Sequence, residues 1–131
     1  MVLAKVWVAF LLCCVSVAVS LGAHAENGNK TNKSVYLVAQ IGVKDYQEYM
    51  GKYGKPVTQL LVDAGAEILV ASREGEVLEG VWSGNWTVIS RFPNDQALKT
   101  WYNSNEYRVF KKMRIEQLID GGNIVVLPSL K

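Results

Sequence analysis

From residue 34 onward the apolar residues change their spacing in a fixed order, and that order limits the folds open to the chain. Val35-Tyr36-Leu37-Val38-Ala39-Gln40-Ile41 is β-branched and apolar, the composition of a buried strand. Asp45 with Glu48 forms a capping box. Behind it Tyr46, Tyr49, Met50, Tyr53, Val57, Leu60, Leu61 and Ala64 recur at helical spacing. Gly54 and Pro56 are expected to kink or divide this helix, and Gly65 to end it. Residues 66–71 read as a second strand, 72–75 as a turn or bulge, and 76–80 as a continuation of that strand. A loop at 82–86 leads to a strand at 87–92. Pro93-Asn94-Asp95 stops it and opens a short helix through Tyr102. A further helical stretch runs from Ser104 to about Leu118. Gly121-Gly122 is expected to break it before a final strand at 123–127. The order is βαββαβ, an α+β, ferredoxin-like arrangement with an antiparallel sheet and helices on one face. The other face must be covered where it is apolar, and a second copy of the same sheet is the default cover.

Ahead of this domain (34–131) lie two segments of different composition. Residues 1–25 have one positive charge at Lys5, an apolar run, and Ala23-His24-Ala25 at the end. This is the pattern of a cleavable secretory signal peptide. The run is close to the roughly 18-residue lower limit for a spanning helix, but the small residues at 23 and 25 and the polar stretch beyond them favour cleavage. Cys13 and Cys14 lack the residues that precede a lipidated cysteine. Residues 26–33 contain no apolar side chain and read as a disordered tether.

Cleavage after Ala25 has a chemical consequence. Both cysteines and the single histidine leave with the leader, and loss of Lys5 lowers the formal charge from +2 to +1. A near-neutral domain offers no electrostatic case for nucleic acid or for stable association with an anionic membrane. Without histidine or cysteine, a Ser-His-Asp triad, a histidine base, thiolate catalysis and a cysteine-type zinc site are all closed. No glycine-rich phosphate loop appears, because Gly75, Gly80 and Gly84 are too scattered. No cofactor is expected. Asn29-Lys30-Thr31, Asn32-Lys33-Ser34 and Asn85-Trp86-Thr87 are glycosylation sequons that matter only in a eukaryotic source.

Several strings are shared with a known family. Asp45-x-x-x-Tyr49, Glu79-Gly80, Arg91-Phe92-Pro93, and Trp101-Tyr102-Asn103-Ser104-x-Glu106-Tyr107 with Arg114 seven residues on resemble the domain-of-unknown-function 1330 family. The likeness runs from about Val35 to Leu127. It implies a dimeric α+β barrel, in which two ferredoxin-like sheets pack face to face, and it implies no established reaction. Asn105 and Tyr46 stand where the family often has proline.

Arg114 is the most informative position. At 100° per residue, Tyr107, Phe110, Arg114 and Leu118 share one helix face, so a guanidinium projects from the stripe that meets the sheet. A charge there must be paired or hydrogen-bonded. One reading is an internal ion pair with Glu79 or Glu106; the other is an anion clamp for a carboxylate. Trp101 and Tyr107 flank it, as core aromatics or as pocket walls. Asn103 and Ser104 either contribute polar groups or cap the helices on either side. Glu79 ends a strand, as a functional carboxylate or a solvated one. Tyr49 and Tyr53 read as core residues with wet hydroxyls. Three functions follow: a small-molecule-binding homodimer with Arg114 at the polar end of an apolar pocket, a cofactor-independent monooxygenase-like or isomerase-like enzyme using the same pocket, or an interaction module without a ligand. A sealed core with Glu79 or Glu106 bonded to Arg114 would exclude the first two.

Overall fold

The computed structural model describes residues 33–130. The leader (1–25) and nearly all of the tether lie outside the described residues. Nine residues of alternating burial make β1 (Val35–Val43): the odd positions are buried and the even ones half-buried. One long helical excursion follows, α1 (Tyr46–Tyr49), a π-helical segment (Met50–Gly54) and α2 (Lys55–Asp63), leading to β2 (Glu67–Ser72). Then come β3 (Trp86–Phe92), α3 (Asp95–Tyr102), α4 (Asn105–Met113), a second π-helical segment (Arg114–Leu118) and β4 (Ile119–Pro128). The four strands form one antiparallel sheet in the order β2-β3-β1-β4. This is the ferredoxin-like arrangement expected from βαββαβ.

Local chemistry sets the helix starts. Asp45 accepts from the Glu48 amide at 2.7 Å, Asn94 from the Ala97 amide at 2.8 Å and Ser104 from the Tyr107 amide at 3.1 Å. The capping box at Asp45 is only half made, because the Glu48 carboxylate turns to Lys52 Nζ at 2.6 Å instead of back to the cap. The expected division falls at the π-helical turn, which ends at Gly54; the backbone stays helical through it, with the Lys55 N–H bonded back to the Met50 carbonyl, and Pro56 follows in the first turn of α2. Gly65, with φ +79°, ends α2.

Two expectations fail, for physical reasons. Residues 76–80 are not a strand. The β2–β3 ladder ends at Ser72 opposite Thr87, so the intervening loop has no strand edge to pair with, and Gly80 and Gly84 take φ of +79° and +94°. Gly121-Gly122 does not separate helix from strand but lies inside β4, opposite Gly42 and Ile41. A Cβ on Gly122 would stand 2.3 Å from the Gln40 carbonyl oxygen, so only glycine lets the two backbones approach. Asn85 extends the sheet without being in it: its Oδ1 accepts from Val43 N at 2.8 Å and its Nδ2 donates to Val43 O at 2.9 Å. The side-chain nitrogen of that sequon is thereby committed to β1.

The helix-side face of the sheet carries the core. Leu37, Ala39 and Ile41 of β1 lie beside Ser90, Val88 and Trp86 of β3 and pack under Tyr49, Tyr53, Val57 and Leu61. Among the described residues, no helix covers the opposite face. There the register aligns Val70, Ile89, Val38 and Val125 across all four strands, an apolar stripe bordered by the Arg91–Glu67 ion pair.

Candidate ligand-binding cavity

Arg114 is the first residue of the second π-helical segment and is only 4% exposed. It projects inward with Tyr107 and Leu118, as the helical rotation requires, while Phe110 is half-buried. Among the described residues it forms no ion pair, and its Nε has no hydrogen-bond partner. Its guanidinium carbon lies 5.7 Å from the centroid of the Tyr53 ring, a cation–π contact.

Beside it the hydroxyls of Tyr53 and Tyr107 are 2.9 Å apart. Two phenols hold two hydrogens, and the bond between them uses one. Burial raises the pKa of Tyr53 well above its ordinary 10.0 and raises that of Tyr107, with the Arg114 charge pulling both down by a smaller amount. Tyr49 is shifted up for the same reason. All three hydroxyls therefore stay protonated through neutral pH. Trp101 stacks on Tyr107 at 4.1 Å between centroids, and its indole Nε1 has no hydrogen-bond partner among the described residues.

These side chains close one end of a cavity of about 300 Å³ between helices and sheet. Tyr46, Tyr49 and Trp86 form an aromatic corner, with Tyr46 edge-on to Trp86 at 5.3 Å and Tyr49 edge-on at 6.4 Å. Val57, Leu61 and Ile68 supply aliphatic wall, and Ala71 and Thr58 are exposed where the cavity meets solvent between α2 and β2. Among the described residues, no Asp, Glu, Lys, His or Cys lines it. Arg114, with Ile41 and Ile124, also borders a shallower recess on its far side, whose wall includes Gly121 and Gly122. Both π-helical segments abut the cavity, through Met50, Tyr53 and Gly54 in one and Arg114 in the other. Such turns frequently mark functional sites.

Of the residues singled out in the sequence, the cavity brings together Arg114, Trp101 and Tyr107. Ser104 caps α4, and Asn103 closes α3 with its Nδ2 donating to the Lys99 carbonyl at 2.9 Å; neither lines the cavity. Glu79 is exposed in the loop after β2, near Trp82, whose Nε1 donates to Thr87 Oγ1 at 3.2 Å, and it does not reach Arg114. Glu106 is exposed in the first turn of α4. Tyr49 and Tyr53 belong to the site; their hydroxyls are buried, and that of Tyr53 is bonded to Tyr107. Their spacing of four on the buried helix face was the available signal. Nothing local marked Trp86.

The fold has solved counterparts. The RPA0582 protein of unknown function from Rhodopseudomonas palustris aligns with a TM-score of 0.63 at 17% identity, over 79% of this chain and 87% of that one. A candidate antibiotic biosynthesis monooxygenase from Caulobacter crescentus CB15 aligns with a TM-score of 0.51 at 18% identity, over 82% and 99%. At these identities the likeness is one of fold. No curated protein matches the sequence. The family model described as a domain of unknown function, DUF1330, matches residues 34–128, so the chain belongs to the DUF1330 family.

Proposed function

We propose that this is an exported, homodimeric domain that binds a small anionic ligand in the cavity between helices and sheet, with Arg114 as the anchor of the negative charge. One observation carries the reading: a guanidinium 4% exposed, on the wall of a cavity, has no carboxylate among the described residues within ion-pair distance. A buried cation left unpaired costs several kcal/mol, and a carboxylate entering the cavity would remove that cost through paired N–H···O bonds. The ion pair that a purely structural role demands, to Glu79 or Glu106, is not formed. Export rests on the leader pattern. Dimerisation rests on the bare stripe Val70–Ile89–Val38–Val125, which a second sheet would cover.

A cofactor-independent, monooxygenase-like activity is the second reading, favoured by the fold shared with the Caulobacter protein. The lining holds no carboxylate or imidazole to abstract a proton, so such a reaction would need a substrate that enters already ionised. Native mass spectrometry of the protein purified without denaturation tests the binding reading. The expected result is a dimer carrying a small acid, lost in Arg114→Met. A ligand-free protein whose melting temperature no organic acid raises would reject it.

A further inference from the structure

We infer that the ligand of this cavity is an aromatic monocarboxylic acid, held at its carboxylate by Arg114 and the Tyr53–Tyr107 hydroxyl pair; the inference rests on reading the cavity as a ligand site.

The first argument is the sign of the hydrogen-bonding inventory. Among the residues that line the cavity, the buried side-chain atoms without a partner are both donors, the Arg114 Nε–H and the Trp101 Nε1–H, and the tyrosine pair has one hydroxyl hydrogen to spare. The Thr58 hydroxyl already donates to the Gly54 carbonyl at 2.8 Å. A carboxylate brings lone pairs and no hydrogen, and a guanidinium presents a planar fork that matches its two oxygens. An ammonium group would find no carboxylate in the lining.

The second argument is charge. Among the described residues one cation lines the cavity and no acidic residue does, and Arg73 stands outside the lining, over the ring of Tyr46 at 4.8 Å; one negative charge is therefore balanced at Arg114, and a second beside it would be buried without a partner. Because burial keeps the tyrosine hydroxyls protonated, they remain donors to the anion through neutral pH.

The third argument is shape. Away from Arg114, the edges and faces of Tyr46, Tyr49 and Trp86 oppose the aliphatic surface of Val57, Leu61 and Ile68. A flat ring meets rings edge-on or offset and rests on aliphatic wall with its face. A volume of about 300 Å³ takes a single ring with a short acid side chain.

Isothermal titration of the purified protein with five probes tests this: 3-phenylpropanoate, 3-phenylpropanamide, phenylalanine, phenylsuccinate and octanoate. The phenylpropanoate is expected to bind, and each of the others at least tenfold more weakly. Arg114→Lys, which keeps the charge and loses the fork, is expected to weaken it tenfold or more, and Tyr53→Phe several-fold. Should Arg114→Lys fail to fold, the probe series and Tyr53→Phe still decide. Equal binding of the amide or the amino acid, or preference for the dianion or octanoate, would overturn the ligand class while leaving the cavity a binding site. Heat from none of the five would overturn the binding reading as well.

Discussion

The guanidinium of Arg114 lies 5.7 Å from the centre of the Tyr53 ring, and no carboxylate among the described residues shares it. A desolvated cation–π contact contributes roughly 2 kcal/mol, less than the several kcal/mol lost on burying an unpaired charge. In the unliganded protein Arg114 is therefore a net burden on the fold. Arg114→Met, which fills much of the same volume, is expected to leave the melting temperature unchanged or raise it by a few degrees. Calorimetry showing a loss of more than about 2 kcal/mol would mean that the arginine is a structural tie after all.

The hydroxyl pair behaves differently. Tyr53→Phe or Tyr107→Phe strips one partner from a buried bond and is expected to cost about 1–3 kcal/mol in urea unfolding. The double variant should cost less than the two singles together, because the second change removes a group already left unpaired. Additive losses would show that the two hydroxyls do not interact in solution.

The same tyrosines set a limit at high pH. Burial, opposed by a smaller pull from the Arg114 charge, places the pKa of Tyr49 and Tyr107 above the ordinary 10.0 in the folded chain; burial and then the neighbouring Tyr107 place that of Tyr53 well above it. Below that ordinary value both states keep the phenolic protons, so these groups contribute no pH dependence. Above it the unfolded chain loses protons that the folded chain retains, and stability falls by up to about 1.4 kcal/mol per pH unit for each tyrosine. Urea midpoints measured from pH 8 to 11 should show Tyr49→Phe with a shallower decline than the parent. Identical slopes would place the Tyr49 hydroxyl in contact with water.

The paired glycines of β4 separate two costs. Alanine at Gly121 meets open space and suffers only from its φ of +146°, whereas at Gly122 it would also drive a Cβ to 2.3 Å from the Gln40 carbonyl. Gly122→Ala is expected to be the more damaging by about 1–3 kcal/mol, since backbone of β1 would have to move. Equal melting temperatures for the two variants would refute that ordering.

The open face provides a test of assembly. Ile89→Asp puts a charge in the middle of the apolar stripe, at a position that is half-exposed in one chain and that a stacked sheet would bury. Light scattering is expected to show a dimer for the parent and a monomer for the variant, with the fold retained. A monomeric parent at micromolar concentration would remove the face-to-face barrel from consideration.

What could be read in the sequence was what depends on neighbours in the chain. The alternation in β1, the caps at Asp45 and Ser104, and the inward aim of Arg114 all follow from spacings of two, three or four residues. The Tyr53–Tyr107 bond joins residues 54 apart, and no local pattern predicts which tyrosine meets which. Residues 76–80 have the composition of a strand but lack an edge to pair with, which is a property of the sheet and not of the segment. Gly121 and Gly122 look like a break when read singly. Their reason lies across the ladder, in the carbonyl of Gln40.

The two π-helical turns have a consequence for how this cavity can be inherited or lost. Each i→i+5 turn holds one residue more than the α-ladder around it would. Five residues at the wider π pitch cover about the rotation that four cover at the α pitch, so each extra residue is absorbed locally and the helix beyond it stays in phase. Val57 and Leu61 after the first segment, and Leu118 at the end of the second, thus keep their inward aim. What the extra residue changes lies within the turns, which carry Met50, Tyr53, Gly54 and Arg114 to the cavity. A single-codon deletion in either turn would therefore reshape the wall while leaving the elements on either side where they are.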